Sequence, residues 1–328
     1  MITAGSQSRH NALGTLKRST ASYDSSLAER QIVLTKGRYV SNPVYARVLG
    51  PLTLALNNRN ATPTAQKQRQ LLALLLIRHS TVVPVTTLIE ELWNDEPPRS
   101  AVTVVQTYIL GIRKKMAEYL ELEQSDIADR YLRTWSKGYL FDAQECVLDL
   151  RDYRTMTDAA RCALTAGDDR RAVDLFQAAE ALWTGPPLLD VEVGIPLSSE
   201  LSHLDQLRLT NLELRIEAEL RLGRHREVCP DLARLTVEQP LHERLQAYYM
   251  YALCRSGRRH RALESYHHFA RALQRELGLD PCVKLQRLHY DILNASDETV
   301  TAMLESRHAG YLIGWQADAG YDVSATPA

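Results

Sequence analysis

Hydrogen-bonding and basic side chains recur at helical spacing in one short stretch of the chain. When side chains advance by about 100° per residue, Thr103, Thr107 and Lys114 fall on one side, with Gln106 beside them. The opposite side is an apolar stripe made of Val102, Val105, Ile109, Ile112 and Met116. Thr and Gln can reach base edges in a DNA major groove, and Lys can bind phosphate or guanine. The pattern predicts a helix that buries its stripe and presents a face suited to DNA.

Three more basic residues extend this candidate surface. Arg113 flanks the apolar stripe, Arg99 precedes the helix, and Lys137 stands at the tip of a predicted hairpin, where it can meet a phosphate. Gly111, on the outward side of the helix, leaves room for a close approach to DNA. Solvation of an ordinary exposed helix uses the same residue types, so the surrounding elements must decide between the two interpretations.

The surrounding elements follow the order of a winged helix-turn-helix. In chain order the patterns predict strands at 45–56 around a Gly50-Pro51 turn, helices from residue 62, at 86–93 and at 100–118, a polar loop, and a hairpin at 131–143. Adjacent prolines at 97 and 98 end the second helix because they cannot continue it. In such a domain the third helix enters the major groove and the hairpin reaches the neighbouring backbone.

Three side chains near the second helix have structural alternatives. We expect Trp93, which ends an apolar stripe, to lie in the core. Lys67 and Arg69 on the first helix are expected either to solvate the surface or to face phosphate, and the sequence does not separate these alternatives.

From residue 148 to 294 the periodicity is helical almost throughout. Leu222-Gly223-Arg224 and Ser256-Gly257-Arg258 repeat one pattern with the glycines 34 residues apart, which is the period of tetratricopeptide helix pairs. A third copy surrounds Gly167, and a predicted loop at 183–197 interrupts the register. The fold class is therefore mostly α with small β, a winged helix followed by an all-α tetratricopeptide-like repeat domain.

The formal net charge of -1 hides two unlike halves. The 328 residues hold 39 Lys and Arg against 40 Asp and Glu, but residues 1–143 sum to +6 and the rest to -7. We divide the chain into a basic flexible tail at 1–43, the winged helix at 44–143, the helical domain at 144–294 and an acidic tail at 295–328 with a short aromatic patch.

A signal peptide or membrane span is not visible, so we expect a cytoplasmic, nucleoid-associated protein with no membrane partner.

Several separated motifs resemble one family of regulators. Residues 88–93, 99–116 and 135–139 resemble the winged helix of OmpR-type response regulators. The segments at 48–52, 181–191 and 276–281 are similar to those of the actinobacterial SARP family of antibiotic regulatory activators. The resemblance covers residues 44 to 294 and implies an OmpR-like DNA-binding domain joined to a bacterial transcriptional activation domain.

The resemblance also implies a function and partners. A protein of this family is expected to activate a secondary-metabolite (antibiotic) biosynthetic gene cluster, binding direct repeats of double-stranded DNA near a promoter with a second protomer and recruiting RNA polymerase holoenzyme. The phosphate-binding loop of the ATPase module in larger members is missing, so we expect a small stand-alone member. Response regulators often carry an arginine where Gly111 stands here, which shifts the expected base contacts to Thr103, Gln106, Thr107 and the flanking basic residues.

Other function classes are weaker on the sequence. None of the common catalytic motifs that we sought occurs, so we expect no enzyme, no catalytic residue and no cofactor. The densest polar cluster is Cys254, His260, His267, His268 and Cys282, whose spacing favours packed or solvated side chains over a metal site. The alternative function is a helical-repeat protein-binding scaffold with a non-specific nucleic-acid-binding module.

Overall fold

The computed structural model describes residues 34–35, 38–39, 44–56, 59–144 and 146–294. Within the first 43 residues, which form a unit of their own, β1 (Leu34–Thr35) pairs antiparallel with β2 (Arg38–Tyr39). The rest of the expected basic tail, and the expected acidic tail with its aromatic patch, lie outside the described residues. No helix in the described part of the chain is long and apolar enough to cross a membrane.

A four-stranded sheet opens the larger unit. It contains β3 (Val44–Arg47), β4 (Thr53–Leu56), β5 (Arg59–Asn60) and β9 (Cys146–Leu148) in the order β5-β4-β3-β9. β3 and β4 are antiparallel around the turn at Gly50, as the sequence predicts. β9 pairs parallel with β3. The chain therefore returns to this sheet after the intervening helices and the hairpin.

Three helices and a hairpin follow in the predicted order. They are α1 (Gln66–Ile77), α2 (Val85–Trp93), α3 (Ala101–Leu120) and the pair β7 (Leu132–Trp135) and β8 (Gly138–Phe141). β6 (Val83–Pro84) adds a third strand to the hairpin, beside β8. α1 buries every residue from Leu71 to Ile77 because it is surrounded by the other elements. Trp93 is partly buried and packs against the core.

The expected polar loop after α3 contains a helix. α4 (Gln124–Arg130) buries Ile127 fully in the core. Its C-terminus leads directly into the β7–β8 hairpin, which we call the wing. The prediction of a loop was wrong because a single buried Ile in a polar stretch gives no period that identifies a helix. Packing against α3 and β7 stabilises it instead.

Seven helices form the rest of the described chain. They are α5 (Asp149–Thr165), α6 (Asp169–Glu180), α7 (Ile195–Arg221), α8 (His225–Glu238), α9 (Glu243–Arg255), α10 (Arg259–Leu277) and α11 (Val283–Asn294). Gly167, Gly223 and Gly257 lie at the turns within successive helix pairs with φ of 77°, 77° and 76°, a left-handed conformation that glycine adopts readily. The predicted helical repeat is confirmed. The interrupting loop lies at 181–194, so the predicted bounds of 183–197 were wrong at the end, where 195–197 begin α7.

The winged helix and the first helix pair share one core. Buried apolar residues from β3, α1 to α3, the wing, β9, α5 and α7 form a single cluster that runs from Val44 to Leu204. A second cluster extends from Leu212 on α7 to Ile292 on α11. The long helix α7 thus belongs to both cores.

A buried carboxylate of the winged helix caps α7. Glu91, 1% exposed, lies on α2 and accepts hydrogen bonds from the backbone N–H groups of Gly194 at 2.6 Å and Leu197 at 2.8 Å. Gln70 of α1 donates a third hydrogen bond to it at 2.9 Å. Gly194 is the N-cap residue of α7, and a Cβ there would lie 2.2 Å from the carbonyl oxygen of Glu91. Glu91 therefore satisfies N–H groups that the first turn of α7 leaves unpaired.

Two more carboxylates tie the helical region to the strands. Asp149, at the start of α5, accepts hydrogen bonds from the N–H groups of Val48 at 3.0 Å and Leu49 at 2.9 Å. Its burial raises the pKa of the carboxyl to about 6 despite these hydrogen bonds. Asp190, in the loop before α7, accepts a hydrogen bond from the N–H of Leu52 at 2.8 Å and pairs with Arg69 of α1.

We predict that replacing Glu91 by Ala destabilises the protein by about 3 kcal/mol, because two buried N–H groups lose their acceptor. Glu91→Gln should lower the free energy of unfolding by less, since its amide oxygen still accepts one of the two hydrogen bonds. Urea unfolding at neutral pH measures both. The exposed neighbour provides the control: Glu90→Ala should change the free energy of unfolding by less than about 0.5 kcal/mol. Equal values for Glu91→Ala and Glu90→Ala would contradict the capping role.

Candidate nucleic-acid interface

The structure confirms most of the buried stripe of α3 and corrects its first turn. Val105, Ile109, Ile112 and Met116 are at most 1% exposed. Val102 was expected in the same stripe but is 51% exposed, and that expectation was wrong. At the N-terminus of α3 the buried direction passes through Ala101, which is 5% exposed, so Val102 falls at the edge of the candidate surface.

The outward face of α3 is open to solvent where the sequence predicts it. Thr103, Gln106, Thr107 and Lys114 are all exposed. The Thr107 hydroxyl donates a hydrogen bond to the carbonyl of Thr103 at 2.9 Å, which fixes its rotamer and leaves its methyl group and remaining acceptor capacity facing outward. This face can therefore offer amide, hydroxyl, methyl and ammonium groups to base edges or phosphates.

Arg113 connects α3 to the wing. Its guanidinium donates to the carbonyl oxygen of Leu132 at 2.6 and 3.0 Å and to the Thr134 hydroxyl at 2.7 Å, and it lies 5.9 Å from the centroid of the Tyr139 ring. Burial lowers the pKa of Arg113 from its usual value. These contacts favour a role in positioning the wing against α3, while a base contact by Arg113 stays a prediction.

Lys137 and Arg99 stand at the two ends of the surface. Lys137 is exposed in the two-residue turn that joins β7 to β8, and Arg99 is exposed just before α3 begins. Gly138 allows the turn to sit close to β6, because a Cβ there would lie 2.3 Å from the carbonyl oxygen of Val83. Both basic side chains can thus meet a phosphate backbone without rearrangement of the fold.

Lys67 and Arg69 of α1 both bind groups within the fold. Lys67 donates through Nζ to the carbonyl of Leu92 at 2.7 Å, and so caps the C-terminal end of α2. Arg69 pairs with Asp190 and donates to the carbonyl of Pro63 at 3.2 Å. These side chains satisfy acceptors that the tertiary fold brings near α1, and a phosphate contact by either of them stays a prediction.

Gly111 lies partly exposed on α3 beside the side chain of Gln68. A Cβ at this position would lie 2.7 Å from the side-chain nitrogen of Gln68 on α1. The expectation that Gly111 leaves room for a close approach to DNA stays a prediction.

Two exposed apolar residues on this surface were missed. Leu110, on the same side of α3 as Thr103 and Lys114, is 55% exposed, and Trp135, beside the wing turn, is 50% exposed. Leu110 could have been found from the sequence, because it falls outside the apolar stripe. An exposed Leu can contact a thymine methyl group, and an exposed Trp can pack against sugar or base.

The described residues show no sign of a metal centre. No group of three or more His, Cys, Asp or Glu among them is arranged to hold a metal ion. His267 and His289 contact each other edge to face with ring centroids 5.3 Å apart, and Tyr266 stacks on His289.

Comparison with known proteins identifies both halves of the chain. A family described as "Transcriptional regulatory protein, C terminal" matches residues 59–141, and one described as "Bacterial transcriptional activator domain" matches residues 148–293. Regulatory protein DnrI of Streptomyces peucetius is 40% identical over 248 residues, which cover 76% of this chain and 91% of DnrI.

Two other matches extend the comparison. Regulatory protein AfsR of Streptomyces coelicolor is 35% identical over 252 residues, 76% of this chain but only 24% of AfsR, so this chain spans about a quarter of that protein. The structure of Mycobacterium tuberculosis EmbR in complex with a low-affinity phosphopeptide superposes with a TM-score of 0.70 at 25% identity, covering 82% of this chain and 71% of that chain.

We predict different consequences for the two kinds of contact on this surface. Gln106→Ala should weaken binding to the preferred DNA sequence by about 1 to 3 kcal/mol and leave binding to unrelated DNA unchanged, because a base contact carries sequence information. Lys137→Ala should weaken both alike and reduce the salt dependence by about one counterion. Fluorescence anisotropy titrations at several salt concentrations measure both effects.

The control removes a positive charge elsewhere. Arg226 is exposed on α8, and Arg226→Ala should leave both affinities unchanged. If Gln106→Ala weakened specific and unrelated DNA equally, Gln106 would not read a base.

Proposed function

The chain belongs to the SARP family of bacterial transcriptional activators, and we propose that it activates a secondary-metabolite (antibiotic) biosynthetic gene cluster by binding direct repeats near the promoter and recruiting RNA polymerase holoenzyme. It is a DNA-binding regulator of transcription, since its winged helix and its activation domain both match this class. We place its activity in the cytoplasm, on nucleoid DNA.

The observation that carries the proposal is the exposed polar face of α3 beside an exposed wing lysine. Thr103, Gln106 and Thr107 project from a helix whose other side is anchored in the core. Lys137 extends the same surface from the wing. This is the arrangement in which a winged helix docks one helix in the major groove and steadies it through backbone contacts.

Specificity rests on a few placed residues. Residues 44–143 carry a net charge of only +2, which is too small for strong non-specific attraction to the DNA backbone. Arg99, Lys114 and Lys137 supply phosphate contacts in our proposal, and Arg113 holds the wing in place for them. Base contacts come from Thr103, Gln106 and Thr107, with Leu110 available for a thymine methyl.

The helical domain supplies the contact with the transcription machinery. Residues 144–294 carry a net charge of -3, so electrostatic attraction does not favour their binding to DNA. Stacked helix pairs present extended surfaces for protein partners. Because Glu91, Asp149 and Asp190 fix this domain to the winged helix, DNA binding also sets where the polymerase-facing surface lies.

Direct repeats require two protomers in the same orientation. We propose that they bind head to tail along one face of the DNA, with repeat centres about one helical turn apart. The second protomer contributes phosphate contacts and polymerase contacts of its own, which doubles the salt-dependent part of the binding.

We predict that the spacing of the repeats controls activation. Inserting about 5 base pairs between them should abolish in vitro transcription above the basal level, because the second protomer moves to the opposite face of the DNA. Inserting about 10 base pairs should keep both footprints on one face and restore occupancy of the two sites. DNase footprinting beside transcription assays measures both quantities on the same templates.

The control template carries the same 5-base-pair insertion upstream of both repeats, and it should transcribe like the original. Activation that is indifferent to the spacing would contradict the head-to-tail arrangement. Protection spread evenly over unrelated DNA would favour the non-specific scaffold instead.

A further inference from the structure

The outer face of α11 is apolar and no described residue covers it. Val283, Tyr290 and Leu293 are 78%, 65% and 51% exposed. On helix geometry these three lie within a sector of about 80°, opposite the side that packs into the second core. That inner side consists of Leu285, Leu288 and Ile292. The last helix of a repeat array normally needs a polar outer face, because it borders water.

An aromatic groove lies in this face. Its volume is about 460 Å³, and its walls are formed by Tyr266 of α10 and by Val283, Gln286, Arg287, His289 and Tyr290 of α11. The rings of Tyr266 and His289 stack with centroids 3.9 Å apart and an angle of 12° between their planes. A flat floor of stacked rings suits an aromatic side chain laid against it.

We propose that the segment at 295–328 folds back over α11 and seats an aromatic side chain of its Tyr311–Trp315 patch in this groove. The segment leaves α11 at Asn294, at the edge of the exposed face, and 34 residues follow there in the sequence. α11 is 12 residues long, or about 18 Å, so a helical return along it needs only about a dozen residues after a short turn.

The composition of the segment matches the face. Val300, Met303 and Leu304 have the spacing of one apolar helix side, and Tyr311, Leu312, Ile313 and Trp315 follow them. The segment carries five acidic residues and one basic residue, whereas residues 259–294 carry six Lys and Arg against four Asp and Glu. The segment and residues 259–294 therefore carry net charges of opposite sign, and Arg287 lies at the wall of the groove.

A second copy of the chain fits this face less well. A twofold contact between two α11 faces would bring two Arg287 side chains and two regions of positive net charge together, and like charges oppose such a contact. The acidic segment meets no such repulsion and is tethered beside the face, so its effective concentration is high without a partner.

The test uses the full chain and two matched lysine substitutions. Val283→Lys places a charge in the groove, and Val237→Lys places one at an equally exposed valine, 79% exposed, on α8. Hydrogen exchange followed by mass spectrometry should show at least tenfold faster exchange of residues 300–315 in Val283→Lys than in wild type, and no change in Val237→Lys. Unchanged exchange in α5 shows that the fold is intact in each variant.

The reciprocal substitution tests the same contact from the other side. Trp315→Ser should accelerate exchange in α11 by a similar factor while α9 stays protected. Wild-type exchange rates in 300–315 and in α11 for these variants would overturn the proposal. So would a protection of α11 that depends on protein concentration, because that result assigns the face to a second copy.

Discussion

Glu91 is the most deeply buried of the three carboxylates that join the winged helix to the helical domain. Glu91 lies on α2 of the winged helix, and its carboxylate caps the first turn of α7. α7 contributes to both apolar cores. Such a group is costly to bury, and here its cost is offset because three N–H donors surround it. The close approach at Gly194 leaves no room for a side chain between α2 and α7. Orientation of the helical repeats relative to α3 therefore depends on this contact.

The winged helix and the helical domain share one apolar core. The chain does not need a flexible linker to bring its activation domain to the promoter, since that domain shares a core with α1 and α5. Arg69, Lys67 and Arg113 could have served as phosphate ligands by residue type, but the fold uses them to fix α1, α2 and the wing. Arg99, Lys114 and Lys137 remain exposed on or beside α3 and the wing.

Local patterns predicted the elements, and tertiary contacts decided the roles of individual side chains. The apolar stripe located α3, and the 34-residue period located the glycine turns, because both signals repeat at a fixed interval. The sequence could not place Lys67 or Arg69, whose acceptors lie 25 and 121 residues away. The exposure of Thr103, Gln106, Thr107 and Lys114 was predicted because it follows from helix periodicity, whereas the first turn, with Val102, departs from that period.

The central claim is that α3 and the wing read DNA sequence with few contacts, and the salt dependence of binding by the unaltered protein tests it most directly. Affinities for a promoter fragment with the direct repeats and for unrelated DNA of equal length would be measured from low to physiological salt. We expect at least about 10³-fold preference for the promoter at physiological salt. The logarithm of the affinity should fall only slowly with the logarithm of the salt concentration, because few phosphates are contacted. Equal affinity for both fragments, falling steeply with salt, would contradict it.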